Sequence, residues 1–115
     1  SSTTPYGRKA DQMGHPLKIT ELVAQLPGTH YVTRQSVHKA VNARRTKKAV
    51  KKAFEVQKEK KGLAFVEIVS NCNSGWKMTP NEANEWMEEH MFPFYPLGDI
   101  KVDGELTKDV TKEFM

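Results

Sequence analysis

Leu63-Ala64-Phe65-Val66-Glu67-Ile68-Val69, followed at once by Ser70-Asn71-Cys72, decides the fold. Apart from Glu67 the run is apolar throughout, shows no strict alternation and is too short for a typical helix. That is the pattern of a strand covered on both faces in a parallel sheet. Upstream, His30-Tyr31-Val32-Thr33-Arg34 is rich in aromatic and β-branched residues and reads as a second strand. Between them Ala40 to Glu59 reads as one long helix, with an apolar stripe of Ala43, Val50, Ala53 and Phe54 flanked by Ala49 and Val56. Gly62 is expected to end that helix. Strand, helix and strand in this order predict one right-handed parallel crossover.

Before this unit, Ile19, Leu22, Val23 and Leu26 recur at helical spacing, with Thr20 a candidate N-cap and Leu26-Pro27-Gly28 a stop signal. After it comes a polar loop from Ser70 to Lys77. The next helix has a clear start: Thr79 caps it, Pro80 takes the first helical position, Glu82 closes a capping box, and Met78 can staple against Ala83. Its inward face would be Ala83, Trp86, Met87 and His90 or Met91, and Phe92-Pro93-Phe94-Tyr95-Pro96 reads as a covering strip. The expected organisation is an extended lead-in over 1–14, an α/β body over 15–97 and a polar tail over 98–115. The fold class is α/β, with about three helices and two parallel strands. Two strands are too few for a stable open sheet, and a doubly covered strand needs neighbours at its edges. Another segment, another subunit or self-association is expected to supply them.

A chain of 115 residues has room for one domain, and 37% hydrophobic with 28% charged residues suits a folded, soluble chain. No apolar run approaches the roughly 18 to 20 residues of a membrane helix. Ser1-Ser2-Thr3-Thr4-Pro5 lacks a secretory pattern and an initiator methionine, so processing, truncation or excision from something longer is expected. The single cysteine, Cys72, excludes an internal disulfide and fits a reducing, cytoplasmic setting. A net charge of +4 permits an acidic partner without identifying one.

Cys72 follows the carboxyl end of a parallel strand, where ligand sites gather in α/β sheets. By spacing alone a lone cysteine is more often a small buried hydrophobe, and it cannot hold an iron–sulfur cluster unaided. Arg44, Arg45, Lys47, Lys48, Lys51, Lys52, Lys58, Lys60 and Lys61 form a basic run on or just after the long helix. A solvated outer face softened by Glu55 and Glu59 accounts for it most simply. Docking of an acidic protein such as a ferredoxin comes next. Nucleic acid comes last, because no aromatics interleave to stack bases. Glu82, Glu85, Glu88 and Glu89 read as a solvated helix face. His15, His30, His38 and His90 lack metal-ligand spacing, and His90 reads as a packing residue. Ser70 and Ser74 have no nucleophile-elbow frame, and no Gly-rich phosphate loop is present. No catalytic residue is assigned.

Several stretches in order, taken together, are similar to one family. They are Ser2-Thr3-Thr4-Pro5-Tyr6-Gly7-Arg8, Gly14-His15-Pro16-Leu17-Lys18, Lys47-Lys48-Ala49-Val50-Lys51-Lys52-Ala53-Phe54-Glu55, Phe65-Val66-Glu67-Ile68-Val69-Ser70-Asn71-Cys72, Asn84-Glu85-Trp86-Met87-Glu88 and Phe94-Tyr95-Pro96-Leu97-Gly98. Over about residues 1–100 the chain resembles the C-terminal part of the thiamine-diphosphate-binding β subunit of 2-oxoacid:ferredoxin oxidoreductases, closest to the 2-oxoglutarate type. The resemblance implies oxidative decarboxylation of a 2-oxoacid with coenzyme A in anaerobic metabolism, an α subunit as partner, and electrons passed through a four-iron four-sulfur cluster to ferredoxin. In that family a Gly-Asp-Gly motif and a downstream Asn hold Mg2+ and the diphosphate, and three cysteines hold most of the cluster. All of these precede the matched region and are absent from this sequence. The resemblance makes Cys72 the fourth cluster ligand in the intact subunit. Asn73-Ser74-Gly75-Trp76 departs from relatives with proline after that cysteine, and Arg8 with Thr3-Thr4-Pro5 would lie near the cofactor. The chain alone is then expected to be inactive and to bind none of these cofactors. The alternative is a small basic module that binds nucleic acid or an acidic protein through the Arg44–Lys61 helix.

Overall fold

A computed structural model describes residues 18–70 and 79–107. In order they form α1 (Ile19–Ala24), β1 (Thr29–Ser36), α2 (Ala40–Lys58), β2 (Leu63–Val69), α3 (Pro80–Trp86), a π-helical turn (Met87–Met91), β3 (Gly98–Val102) and β4 (Glu105–Leu106). The fold is α/β, with a mixed four-stranded sheet in the order β2-β1-β3-β4. β1 and β2 are parallel, from Thr29 beside Leu63 to Ser36 beside Val69. The expected lead-in over 1–14, the Met78 staple, the loop carrying Cys72 and the last residues of the chain lie outside the described residues.

Alternation along β1 separates the two layers. Val32 packs with Ala24 of α1 and Ile100 of β3, supported by Val23 and Phe65. Tyr31, on the opposite face, meets α2 through Lys52. The α3 start is as read: Thr79 Oγ1 accepts the amide of Glu82 at 3.2 Å, with Pro80 in the first turn. Ala83 and Met87 are buried as expected.

The structure corrects several sequence expectations. Residues 98–106 form a hairpin rather than the start of a polar tail. Asp103 (φ 52°) and Gly104 (φ 81°) both take the left-handed conformation, as a two-residue hairpin turn that matches strand twist requires. Thr20 does not cap α1; Lys18 stands at that position, and Thr20 is buried inside the helix. Its partners in the interior are polar, so α1 turns Thr20, Glu21 and Ala24 inward and leaves Ile19, Leu22 and Leu26 exposed. On α2 the buried line is Asn42, Thr46, Ala49 and Val56, while Phe54 is 71% exposed. Thr46 faces inward because its hydroxyl donates to the Ser36 carbonyl at 2.6 Å.

The end of α2 is a Schellman turn. Lys60 supplies the left-handed residue (φ 55°), its amide bonds to Gln57 O at 3.1 Å, and the Lys61 amide bonds to Val56 O at 3.2 Å. Gly62 therefore has a different task. A Cβ there would stand 3.0 Å from Gly28 O, so the glycine admits the α1–β1 turn against the start of β2.

The expected covering of the Leu63–Val69 strand on both faces is not found among the described residues. Polar β1 is central, with Thr33, Arg34 and Ser36 fully buried. Apolar β2 is an edge among the described strands, and Leu63 and Ile68 are 50% and 47% exposed.

Candidate functional site at the carboxyl end of the parallel strands

Ser36 and Val69 are register partners at the carboxyl ends of β1 and β2. The chain leaves Val69 toward Cys72, and it leaves Ser36 toward His38. Ser36 Oγ lies 2.6 Å from His38 Nδ1, and His38 Nε2 lies 3.0 Å from Glu88 Oε1. Lys39 Nζ reaches the same Glu88 oxygen at 2.6 Å. Those contacts hold the Glu88 carboxyl below its ordinary range, the Lys39 hydrogen bond first and the His38 one second. The Asn84 side-chain amide donates to His38 O at 2.9 Å, and the Phe92 ring lies 5.1 Å from the imidazole. Ser36, Glu88 and Phe92 thus contact one imidazole directly, and its side chain is 3% exposed. The arrangement can relay a proton between Ser36 and Glu88; Ser36 itself is fully buried, which bars it as a nucleophile for a bulky substrate.

Behind this end lies a second polar cluster. Arg34 is fully buried and donates to both carboxylate oxygens of Glu21, at 2.5 and 2.6 Å. Its Nε reaches Glu67 Oε2 at 3.3 Å, and Pro96 O accepts a further bond at 3.2 Å. Thr20 also donates to that Glu67 oxygen. Burial pushes the Glu21 carboxyl up, but the Arg34 bonds and nearby Lys18 outweigh it and the net shift is downward. Burial opposes the Arg34 charge, and Glu21 and Glu67 overcome it, so its pKa rises.

A groove of about 470 Å3 opens on the other sheet face, lined by Tyr31, Asn42, Arg45, Lys48, Lys52 and Asp99 among others. The Tyr31 hydroxyl donates to Asp99 Oδ1 at 2.9 Å. Burial first, then the Asp99 contact, pushes the Tyr31 phenol up to about 12.

Of the residues singled out in the sequence, Cys72, His15 and Ser74 lie outside the described residues. His90 does not pack inward as expected; its side chain is 58% exposed and lies beside Trp86 and Glu89. Glu82, Glu85, Glu88 and Glu89 are all exposed, as expected, and Glu88 in addition pairs with His38. The basic run divides, with Arg45, Lys48 and Lys52 lining the groove and Lys61 paired with Glu59 at 2.8 Å. Ser36 and His38 carried one sequence signal, their position at a strand's carboxyl end; Glu88, fifty positions on, carried none.

Fold and site define a small α/β unit whose polar groups converge where two parallel strands end. The chain is homologous to ketoisovalerate oxidoreductase subunit VorA. It is 31% identical to the protein of Methanothermobacter thermautotrophicus and 32% to that of Methanothermobacter marburgensis, each over 99 residues and 86% of this chain. The chain spans about a fifth of the length of these relatives (21%). No family model matches the sequence. No solved structure matches it.

Among the described residues no group of three or more His, Cys, Asp or Glu is placed to hold a metal ion. The donor set that thiamine diphosphate with Mg2+, or an iron–sulfur cluster, would need is therefore not found in them. No described helix is long and apolar enough to cross a membrane.

Proposed function

We propose that this chain is the C-terminal part of the thiamine-diphosphate-binding β subunit of a 2-oxoacid:ferredoxin oxidoreductase, working with an α subunit in the cytoplasm. The observation that carries the reading is the homology to an oxidoreductase subunit over 99 residues. The exposed apolar edge at Leu63 and Ile68 supports it, because such an edge invites further sheet from the rest of an assembly. The activity proposed is oxidative decarboxylation of a 2-oxoacid to its acyl-CoA, with ferredoxin as electron acceptor. Thiamine diphosphate and Mg2+ belong to other parts of the subunit, and Cys72 supplies one ligand to a four-iron four-sulfur cluster held mainly elsewhere. Apart from that ligand, the chain's contribution is mainly structural.

Cys72→Ser in the intact enzyme tests the ligand assignment. Loss of the cluster's visible absorbance and of ferredoxin reduction is expected; an unaltered cluster overturns it. The substrate proposed from the sequence resemblance is 2-oxoglutarate. Assays that pair it with ketoisovalerate, for which the relatives are named, decide the type: a higher kcat/KM for ketoisovalerate removes the 2-oxoglutarate assignment.

A further inference from the structure

We infer that the outer face of α2 is a binding surface for single-stranded nucleic acid. Arg44, Lys47, Lys51, Phe54 and Lys58 follow one another at steps of three, four, three and four residues, so they form one ridge along the helix. At roughly 100° per residue that ridge points away from the buried line of Asn42, Thr46, Ala49 and Val56. All five ridge residues are exposed. Its four cations pair with no carboxylate among the described residues. The whole of α2 carries seven cations and one carboxylate, Glu55, whereas the full chain has a net charge of only +4. Positive charge is thus gathered on this helix and offset elsewhere, which is the electrostatic footprint of a polyanion site.

Phe54 decides among polyanions. On sequence, nucleic acid ranks last because Phe54, the one aromatic on α2, is expected to face inward. The structure turns it outward, 71% exposed, between Lys51 and Lys58 on the ridge. A lone apolar side chain in solvent needs no explanation by itself. A phenyl ring set within a row of cations is different, because it matches a strand whose bases are unpaired. The cations neutralise successive phosphates, and the ring offers a face on which one base stacks. A duplex hides its base faces within its own stack, so it would engage the cations and leave Phe54 idle. From Arg44 to Lys58 the ridge spans about 21 Å at 1.5 Å per residue, room for a strand of about four nucleotides. This surface is independent of the oxidoreductase reading.

Fluorescence anisotropy of a labelled oligothymidylate of about 12 nucleotides, titrated with the 115-residue chain at several salt concentrations, tests the surface. Saturable binding is expected, with log K falling against log salt at a slope of about −3, the value for four phosphates of a single strand. Lys51→Ala should make that slope shallower by about 0.7, the share of one phosphate. Phe54→Ala should weaken binding about tenfold at every salt concentration and leave the slope unchanged, whereas Phe54→Trp should keep the affinity. Both positions are exposed, so circular dichroism should match that of the unaltered chain. Full affinity in Phe54→Ala would reduce the ridge to diffuse charge and overturn the proposal. A duplex bound as tightly as the single strand, displacement by polyglutamate at equal charge, or titration without saturation would do the same.

Discussion

Arg34, at the centre of the sheet, and Glu21, on the short helix packed over it, face each other as a two-pronged ion pair with both side chains wholly out of solvent. The pair explains why α1 rotates its apolar residues Ile19 and Leu22 outward. A buried guanidinium needs a carboxylate more than the sheet needs another leucine, since an unpaired buried charge costs more than one exposed side chain loses.

Glu21→Ala should therefore destabilise the fold by about 3–5 kcal/mol, because it leaves Arg34 buried with only Glu67 and Pro96 O as partners. Replacing both members, Glu21→Leu with Arg34→Met, should recover most of that loss. Urea unfolding of the two variants checks the pair.

The same contact sets an acid limit. The Glu21 carboxyl is held below its ordinary 4.5, so its contribution is fully present above that value and is lost as pH falls through the lower, folded value. The urea midpoint should drop as pH falls below about 4.5, and Glu21→Ala should show a shallower drop there. Equal slopes in the two proteins would contradict the assignment.

Tyr31 should ionise near its raised value of about 12, well above the ordinary 10. Asp99→Asn removes the second cause and leaves burial, the larger, in place, so the midpoint should fall part of the way toward 10. Ultraviolet titration of tyrosinate absorbance measures it.

Leu63→Lys with Ile68→Lys tests whether the β2 edge is covered in the intact oxidoreductase. Both side chains are about half exposed, so the chain alone should lose no more than about 1 kcal/mol. Assembly of the intact enzyme, followed by size-exclusion chromatography, should fail. Normal assembly would remove the edge from the interface.

Much of the fold was legible locally. The parallel crossover followed from two β-prone runs around a long helix, and Thr79-Pro80 marked a helix start that the Glu82 amide confirms. Asp103-Gly104 is a strong hairpin marker in its own right, and it joins β3 to β4. The buried faces were less legible. Apolar spacing put Phe54 inside and left Thr46 out, whereas the Ser36 carbonyl draws the Thr46 hydroxyl inward.

Backbone preference and capping chemistry act between near neighbours, so the residues alone dictate which segments become helix, strand or turn, and the parallel sense of β1 and β2. Strand order is different. That Thr29–Ser36, the more polar strand, lies in the middle while Leu63–Val69 lies at the edge depends on partners far along the chain. Glu21, Glu67, Pro96 and Asp99 satisfy its polar groups only once the sheet and helices have closed around them. Pairings such as His38 with Glu88 likewise exist only in the packed molecule, because hydrogen bonds and ion pairs depend on distance in space and leave no periodic trace in the order of residues.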